Sequence, residues 1–389
     1  MLRSRSGIAF ASVAAVLVLA TAVGLVVLWP DGSRNEKIRE GMQLKTEEAV
    51  TTAVREVPCQ DPFTPRCANV DFRLETGPDQ GTQVTLPIGD PIPEVGDRVR
   101  LFKIPDVPPE LEGQTDIEPY AFSDFERRMP MLWLAIAFAA VVIVTGRLRG
   151  LRALVGLGAS LALVLFFIVP AILDGRPPLA VAIVGSLAVM FVTMALAHGV
   201  GPKTLAASLG TAASLVLIVA LALLSTEVAH LTGFSSEEAS FLRVNVAELS
   251  IEGLVLAGMV IAALGVLDDV TVSQSATVLA LKHANPVQGF GLLFRRAISV
   301  GRDHIAATVN TLVLAYVGAS LPVLLVFAVG NTPFSTAVNG EVVAENVIAT
   351  LVGSIGLVAA VPATTALAAL LATRLPADAL PHDPAGHAH

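Results

Sequence analysis

Eight stretches of this chain are apolar for long enough, or nearly so, to cross a lipid bilayer. They lie at about 8–29, 129–146, 153–173, 178–197, 204–224, 249–267, 304–329 and 346–372. A hydrocarbon core ~30 Å thick takes ~20 helical residues. Inside it every backbone N–H and C=O needs an internal partner, so only helices and closed barrels can span. Runs of this length select helices. Aromatics at 5% are also too few for the girdles of a porin-type barrel. With 54% hydrophobic and 15% charged residues the chain is neither a simple soluble globule nor a disordered polymer. The expected fold class is an α-helical polytopic membrane protein of about eight transmembrane helices with a small extracytoplasmic β-rich domain. The lipid bilayer is its first partner.

The net charge of -8 is confined to one place. Segment 30–128 carries twelve basic and twenty acidic residues, while charges in the remainder cancel. With the N-terminus inside, alternation puts eleven basic residues of the termini and short loops in the cytoplasm. They are Arg3, Arg5, Arg147, Arg149, Arg152, Lys203, Lys282, Arg295, Arg296, Arg302 and Arg374. The short outer loops hold two, Arg176 and Arg243. That bias predicts both termini in the cytoplasm. The expected domains are an anchor (1–29), an extracytoplasmic β-domain (30–128), a seven-helix membrane domain (129–373) and a cytoplasmic disordered tail (374–389). Ala20-Thr21-Ala22 has the form of a signal-peptide cleavage site, yet apolar residues run on through Val23 to Trp29. That length favours an uncleaved anchor.

Within 30–128, a short juxtamembrane helix is expected over 30–48. Strands follow at Ala49–Val57, Ala68–Glu75, Thr82–Ile88 and Arg98–Ile104, separated by Gly- and Pro-rich turns. The pattern suits a small antiparallel domain, in form a five-stranded OB-type barrel. Its acidic balance argues against a nucleic-acid partner. Cys59 and Cys67 enclose seven residues in an oxidising compartment and are expected to form a disulfide.

Three features depart from plain apolar helix. Glu248 and Glu252, spaced i and i+4, share one face where the sixth run begins. They read as a cation or proton site, or as an interfacial pair facing water. Next comes Leu267-Asp268-Asp269-Val270-Thr271. The apolar segment Leu249–Leu281 would make ~50 Å of helix, so a break is expected at Asp268-Asp269, with a second helix capped there. Asp268, Thr271, Ser275 and Lys282 would then share a stripe, with Gln274 beside it. Adjacent carboxylates at a helix break can bind a cation or share a proton, with Lys282 as a counter-charge. The competing reading is a cap at the cytoplasmic surface. Third, Pro322 and Pro362 lie inside late spans, where Thr364 and Thr365 could serve a carbonyl freed by Pro362.

The block Ala257-Gly258-Met259-Val260-Ile261-Ala262-Ala263-Leu264-Gly265-Val266-Leu267-Asp268-Asp269-Val270-Thr271, with Gln274, resembles the YibE/F family of bacterial multi-pass membrane proteins. Tyr120-Ala121-Phe122-Ser123-Asp124-Phe125-Glu126-Arg127-Arg128 and Gly146-Arg147-Leu148-Arg149-Gly150-Leu151 extend the likeness, which covers about 118–372. The resemblance implies residence in a bacterial plasma membrane and a permease-like build. It supplies no substrate.

The leading expectation is a permease or ion-coupled transporter of a small solute or ion. A membrane scaffold or sensor working through the outer domain is the alternative. No His-Glu-x-x-His, Gly-x-Ser-x-Gly or Walker pattern occurs, so no enzymatic activity, cofactor or metal centre is expected. Homo- and hetero-oligomers are both open.

Overall fold

The computed structural model describes residues 5–32, 46–59, 64–104, 119–246 and 249–374. The chain divides into two compact units, Arg39–Thr145 and Met1–Ile38 with Gly146–His389.

The first unit holds five antiparallel strands: β1 (Thr46–Val57), β2 (Cys67–Leu74), β3 (Gln83–Gly89), β4 (Arg98–Lys103) and β5 (Tyr120–Phe125). Their order in the sheet is β3-β2-β1-β4-β5. Register shifts between Thr51 and Ala53 of β1 and at Arg100/Leu101 of β4 bend the strands. The edge strands β3 and β5 approach each other, so the sheet curls. Burial alternates along β3, with Val84, Leu86 and Ile88 turned in, as period-2 alternation dictates. Phe72, Leu74, Val99 and Leu101 complete the core. Cys59 and Cys67 are bonded, with Cα atoms 5.2 Å apart, closing the β1–β2 connection. Two details differ from the sequence reading. Thr46–Glu48, expected in a helix, open β1, while residues 33–45 of that helix lie outside the described residues. Tyr120–Phe125, not among the strands expected from the sequence, is the fifth strand.

After β5 the chain enters a helix within two residues. Glu126 ties the start of that helix to the sheet. Its carboxylate accepts from Arg128 Nε at 2.7 Å and from Arg100 Nη1 at 2.9 Å, and Arg128 also reaches Glu48. The Glu126 side chain is almost buried, and its partners, Arg128 first, hold the carboxyl down at about 2, against an ordinary 4.5. Hydrogen bonds from Arg55 and Lys103 likewise lower Asp71 and Asp79. A carboxyl lowered on folding stabilises the fold above its unfolded pKa and loses that contribution as pH falls through its folded one. The β-domain is therefore expected to loosen on acidification from about pH 4.5 towards about 2. Glu126→Gln should flatten that dependence. Hydrogen exchange at the β1–β4 pairing checks it, and a pH profile unchanged by the substitution would contradict it.

The helices are α1 (Arg5–Leu28), α2 (Arg128–Leu163), a π-helical turn (Val164–Ile168), α3 (Val169–Leu173), α4 (Pro178–His198) and α5 (Pro202–Val228). There follow α6 (Glu237–Asn245), α7 (Ile251–Ala284), α8 (Phe290–Ala319), α9 (Leu321–Val329), α10 (Phe334–Asn339) and α11 (Glu341–Arg374). Pro178 and Pro202 sit at the starts of α4 and α5, where a missing N–H costs nothing. Between them Gly199 ends α4 at φ 73, a conformation that favours glycine. In the second unit α5, α7 and α11 pack mutually, α4 and α8 flank them, and α1 lies on α4. Small residues permit this closeness. A Cβ on Gly210 would fall 2.0 Å from Thr364 Oγ1, and one on Gly356 2.3 Å from Ile218 Cγ1.

Among the described residues six helices are long and apolar enough to cross a membrane, or seven if the pair α8–α9, bent by 58°, is one span. The difference from eight arises at Arg128–Leu173, where one helical stretch of 46 residues covers two of the expected runs. At Arg147 the backbone leaves the helical region (φ 51, ψ -132). Between the sixth and seventh apolar runs, the chain is helical again from Phe290 onward.

Candidate functional site

The expected break at Asp268-Asp269 is absent. Helix α7 runs unbroken for 34 residues, ~51 Å. Apolar length beyond a bilayer's thickness does not force a break, because a long helix can project past the core. Ser250 caps α7 through Gly253 N, and Lys282 and His283 sit in its last turn, where cations suit the dipole. Asp268 and Asp269 are thus mid-helix residues, about 100° apart around the axis.

They face different surroundings. Asp269 is exposed, on the same face as Gly258, Ala262 and Gly265. Asp268 is partly buried. Its Oδ2 accepts a hydrogen bond from Thr193 Oγ1 of α4 at 3.2 Å, and its Oδ1 is buried with no partner among the described residues. One turn on, Thr271 Oγ1 lies 2.7 Å from Thr211 Oγ1 of α5. Gln274 is buried and its Nε2 donates twice, to Ala297 O of α8 at 2.9 Å and to Thr365 Oγ1 of α11 at 2.7 Å. Ser275 Oγ donates to Lys203 O of α5 at 2.8 Å. The four residues thus form a polar seam through the centre of the bundle, each tying α7 to another helix.

Lys282 does not take part. Its Nζ donates to Pro286 O and Gln288 O, at 2.7 and 2.8 Å, and so caps the α7–α8 turn. Fourteen residues of helix put it ~21 Å from Asp268, too far for a counter-charge. Nor does Thr365 serve the carbonyl that Pro362 frees. Its hydroxyl donates to Val361 O at 2.6 Å, whereas an i to i−4 ladder without the proline N–H frees Val358. Buried Thr364 Oγ1 has no partner among the described residues.

Glu248 lies outside the described residues. Glu252 is exposed in the first turn of α7 and lines an open cavity of about 620 Å³ with Glu227, His230, Phe234 and Arg243. Its carboxylate is about sixteen residues, ~24 Å of helix, from Asp268. The described residues contain no group of three or more His, Cys, Asp or Glu arranged to hold a metal ion.

Thr193 and Thr211 carry no sequence signal that marks them as part of a site, and Thr365 stands out only for its place beside Pro362, not as a partner of Gln274. Each is a small hydroxyl in a largely apolar run, and such hydroxyls commonly bond back to their own helix. Thr193 does that as well, to Val189 O at 2.8 Å.

Long apolar helices around a buried polar seam define a multi-helix membrane protein. The sequence model of the YibE/F-like proteins matches residues 134–374, more than half of the chain, and the chain belongs to that family. No curated protein and no solved structure matches it.

Proposed function

We propose that the protein is a permease or ion-coupled transporter of a small solute or ion, with Asp268 as its working carboxylate. The observation that carries this is Asp268 itself. It is an ionisable side chain inside the helical bundle, with one oxygen unpartnered, at the head of a seam that contacts α4, α5, α8 and α11. Intramembrane carboxylates are costly and mark ion or substrate paths. Asp269 supports it from the neighbouring face. In proteoliposomes carrying a panel of solutes, Asp268→Asn with Asp269→Asn is expected to lower uptake at least about tenfold, an effect of about 1.4 kcal/mol. A folded, inserted double variant with full uptake would refute the reading.

We read the topology as eight crossings with both termini in the cytoplasm. The stretch Arg128–Leu173 is ~69 Å of helix, twice a bilayer core, and Arg147 divides it into two lengths that each suffice. The basic residues of the short loops support the orientation. A thiol introduced by Phe290→Cys should be shielded from impermeant reagents added outside; labelling there would overturn the arrangement.

A sensor working through the β-domain is the second reading. A cavity of about 550 Å³ lined by Leu86, Ile88, Ile104, Tyr120 and Phe122 favours it.

A further inference from the structure

We infer that the ion taken by the Asp268 site is a proton and that the site does not hold a metal cation. This deepens the transporter reading and rests on Asp268 being its working group.

The argument is one of ligand count. Hard cations bind through several oxygens, about six for magnesium and more for calcium. Transporters that bind sodium in the membrane gather such oxygens from unwound helices, whose carbonyls are released from the backbone ladder. Here the ladder is intact. Helix α7 passes through Asp268 and α4 passes through Thr193 without a break. Their carbonyls are already committed to intrahelical bonds. Thr193 is the one hydrogen-bond partner of the Asp268 carboxylate among the described residues. Thr271 and Thr211 are engaged with each other, and the Gln274 amide reaches α8 and α11, away from the α4 side where Thr193 meets Asp268. A carboxylate and one hydroxyl do not make a cation cage.

A proton needs none of that. It binds Oδ1 directly, converting the carboxylate to a neutral carboxyl, and removes a charge that is costly inside an apolar bundle. Thr193 is suited to both states. Its single proton is spread over Val189 O at 2.8 Å, Met190 O at 3.1 Å and Asp268 Oδ2 at 3.2 Å. The hydroxyl can donate to a carboxylate, and its lone pairs can accept from a carboxyl. Asp269 adjoins Asp268 on the same helix and is a charged group that acts on it. Thr193 faces it from α4, and the contacts that α5, α8 and α11 make with the seam are neutral: Thr211 Oγ1 and Lys203 O, Ala297 O, and Thr365 Oγ1.

Infrared difference spectra of the full chain in lipid vesicles test this without a known substrate. Wild type should show the carbonyl stretch of a protonated carboxyl that vanishes reversibly as buffer is taken from mildly acidic to alkaline. Asp268→Asn should lack that band and Asp269→Asn should keep it. Asp268→Glu, which retains a carboxyl, should move it, and this guards against misfolding of the asparagine variant. Exchanging potassium for sodium, or adding magnesium, at fixed pH should leave it unchanged. Absence of the band in wild type, its persistence in Asp268→Asn, or its removal by sodium or magnesium would each overturn the inference. Uptake that survives in the double asparagine variant, with the band intact in wild type, would sink the transporter reading and leave the proton site standing.

Discussion

Replacing Phe72 by alanine is expected to unfold the β-domain while leaving the helical unit in place. Phe72 is fully buried on β2, at the middle of a strand paired on both sides. Its ring lies 6.4 Å from that of Phe122 on β5, so it joins strands that are not neighbours in the sheet order. Phenylalanine-to-alanine changes in cores cost about 3–5 kcal/mol. A small domain has about 5–15 kcal/mol in total, and often sits near the lower end. The loss is thus a large part of what holds the sheet. Protease cleavage within β1–β4 should appear in the variant at temperatures where wild type resists. The far-ultraviolet helical signal should change little, since all the helices but the first half of α2 lie in the other compact unit. Unaltered protease resistance would mean that the core repacks around the gap.

The β-domain is largely legible in the sequence because its information is local. Val70-Asp71-Phe72-Arg73-Leu74 states period 2 in five residues, and the structure buries Val70, Phe72 and Leu74. Tyr120–Phe125 does not read as a strand because its pairing depends on β4, with fourteen undescribed residues between Ile104 and Pro119. In the helical unit, apolar runs announce where helices lie and little about what their few polar atoms meet. Asp268, Thr271, Gln274 and Ser275 stand out in α7, since a hydrophilic group among leucines and valines is conspicuous. Their partners do not. Thr211 is sixty positions from Thr271, and Thr365 ninety-one from Gln274. The expectation of a break at Asp268 treats bilayer thickness as a limit on helix length, which it is not.

Substitution of Gly210 by alanine is expected to be the most damaging single-methyl change in the helical unit. A Cβ there would lie 2.0 Å from Thr364 Oγ1, 2.9 Å from its Cβ and 3.2 Å from its Cα. Rotating the threonine hydroxyl away relieves the first clash and leaves the other two. The last of the three is with a backbone atom, so α5 and α11 must separate. These two helices and α7 make the central trio, and lipid gives no hydrophobic force to draw them back. Overpacking of this kind costs about 1–3 kcal/mol. Thermal unfolding in detergent should shift down for Gly210→Ala, and Gly210→Leu should yield little monodisperse protein. Thr364→Gly should rescue Gly210→Ala, whereas Thr364→Ala should rescue it only in part because Cβ remains. In a double-mutant cycle the coupling should fall within about 0.5–3 kcal/mol, the range for residues that touch. Additive effects would show that the two helices do not meet at this point. The same separation would pull Thr365 from Gln274, since Thr365 follows Thr364 on α11. Loss of stability and loss of the seam are therefore one event where Gly210 meets Thr364.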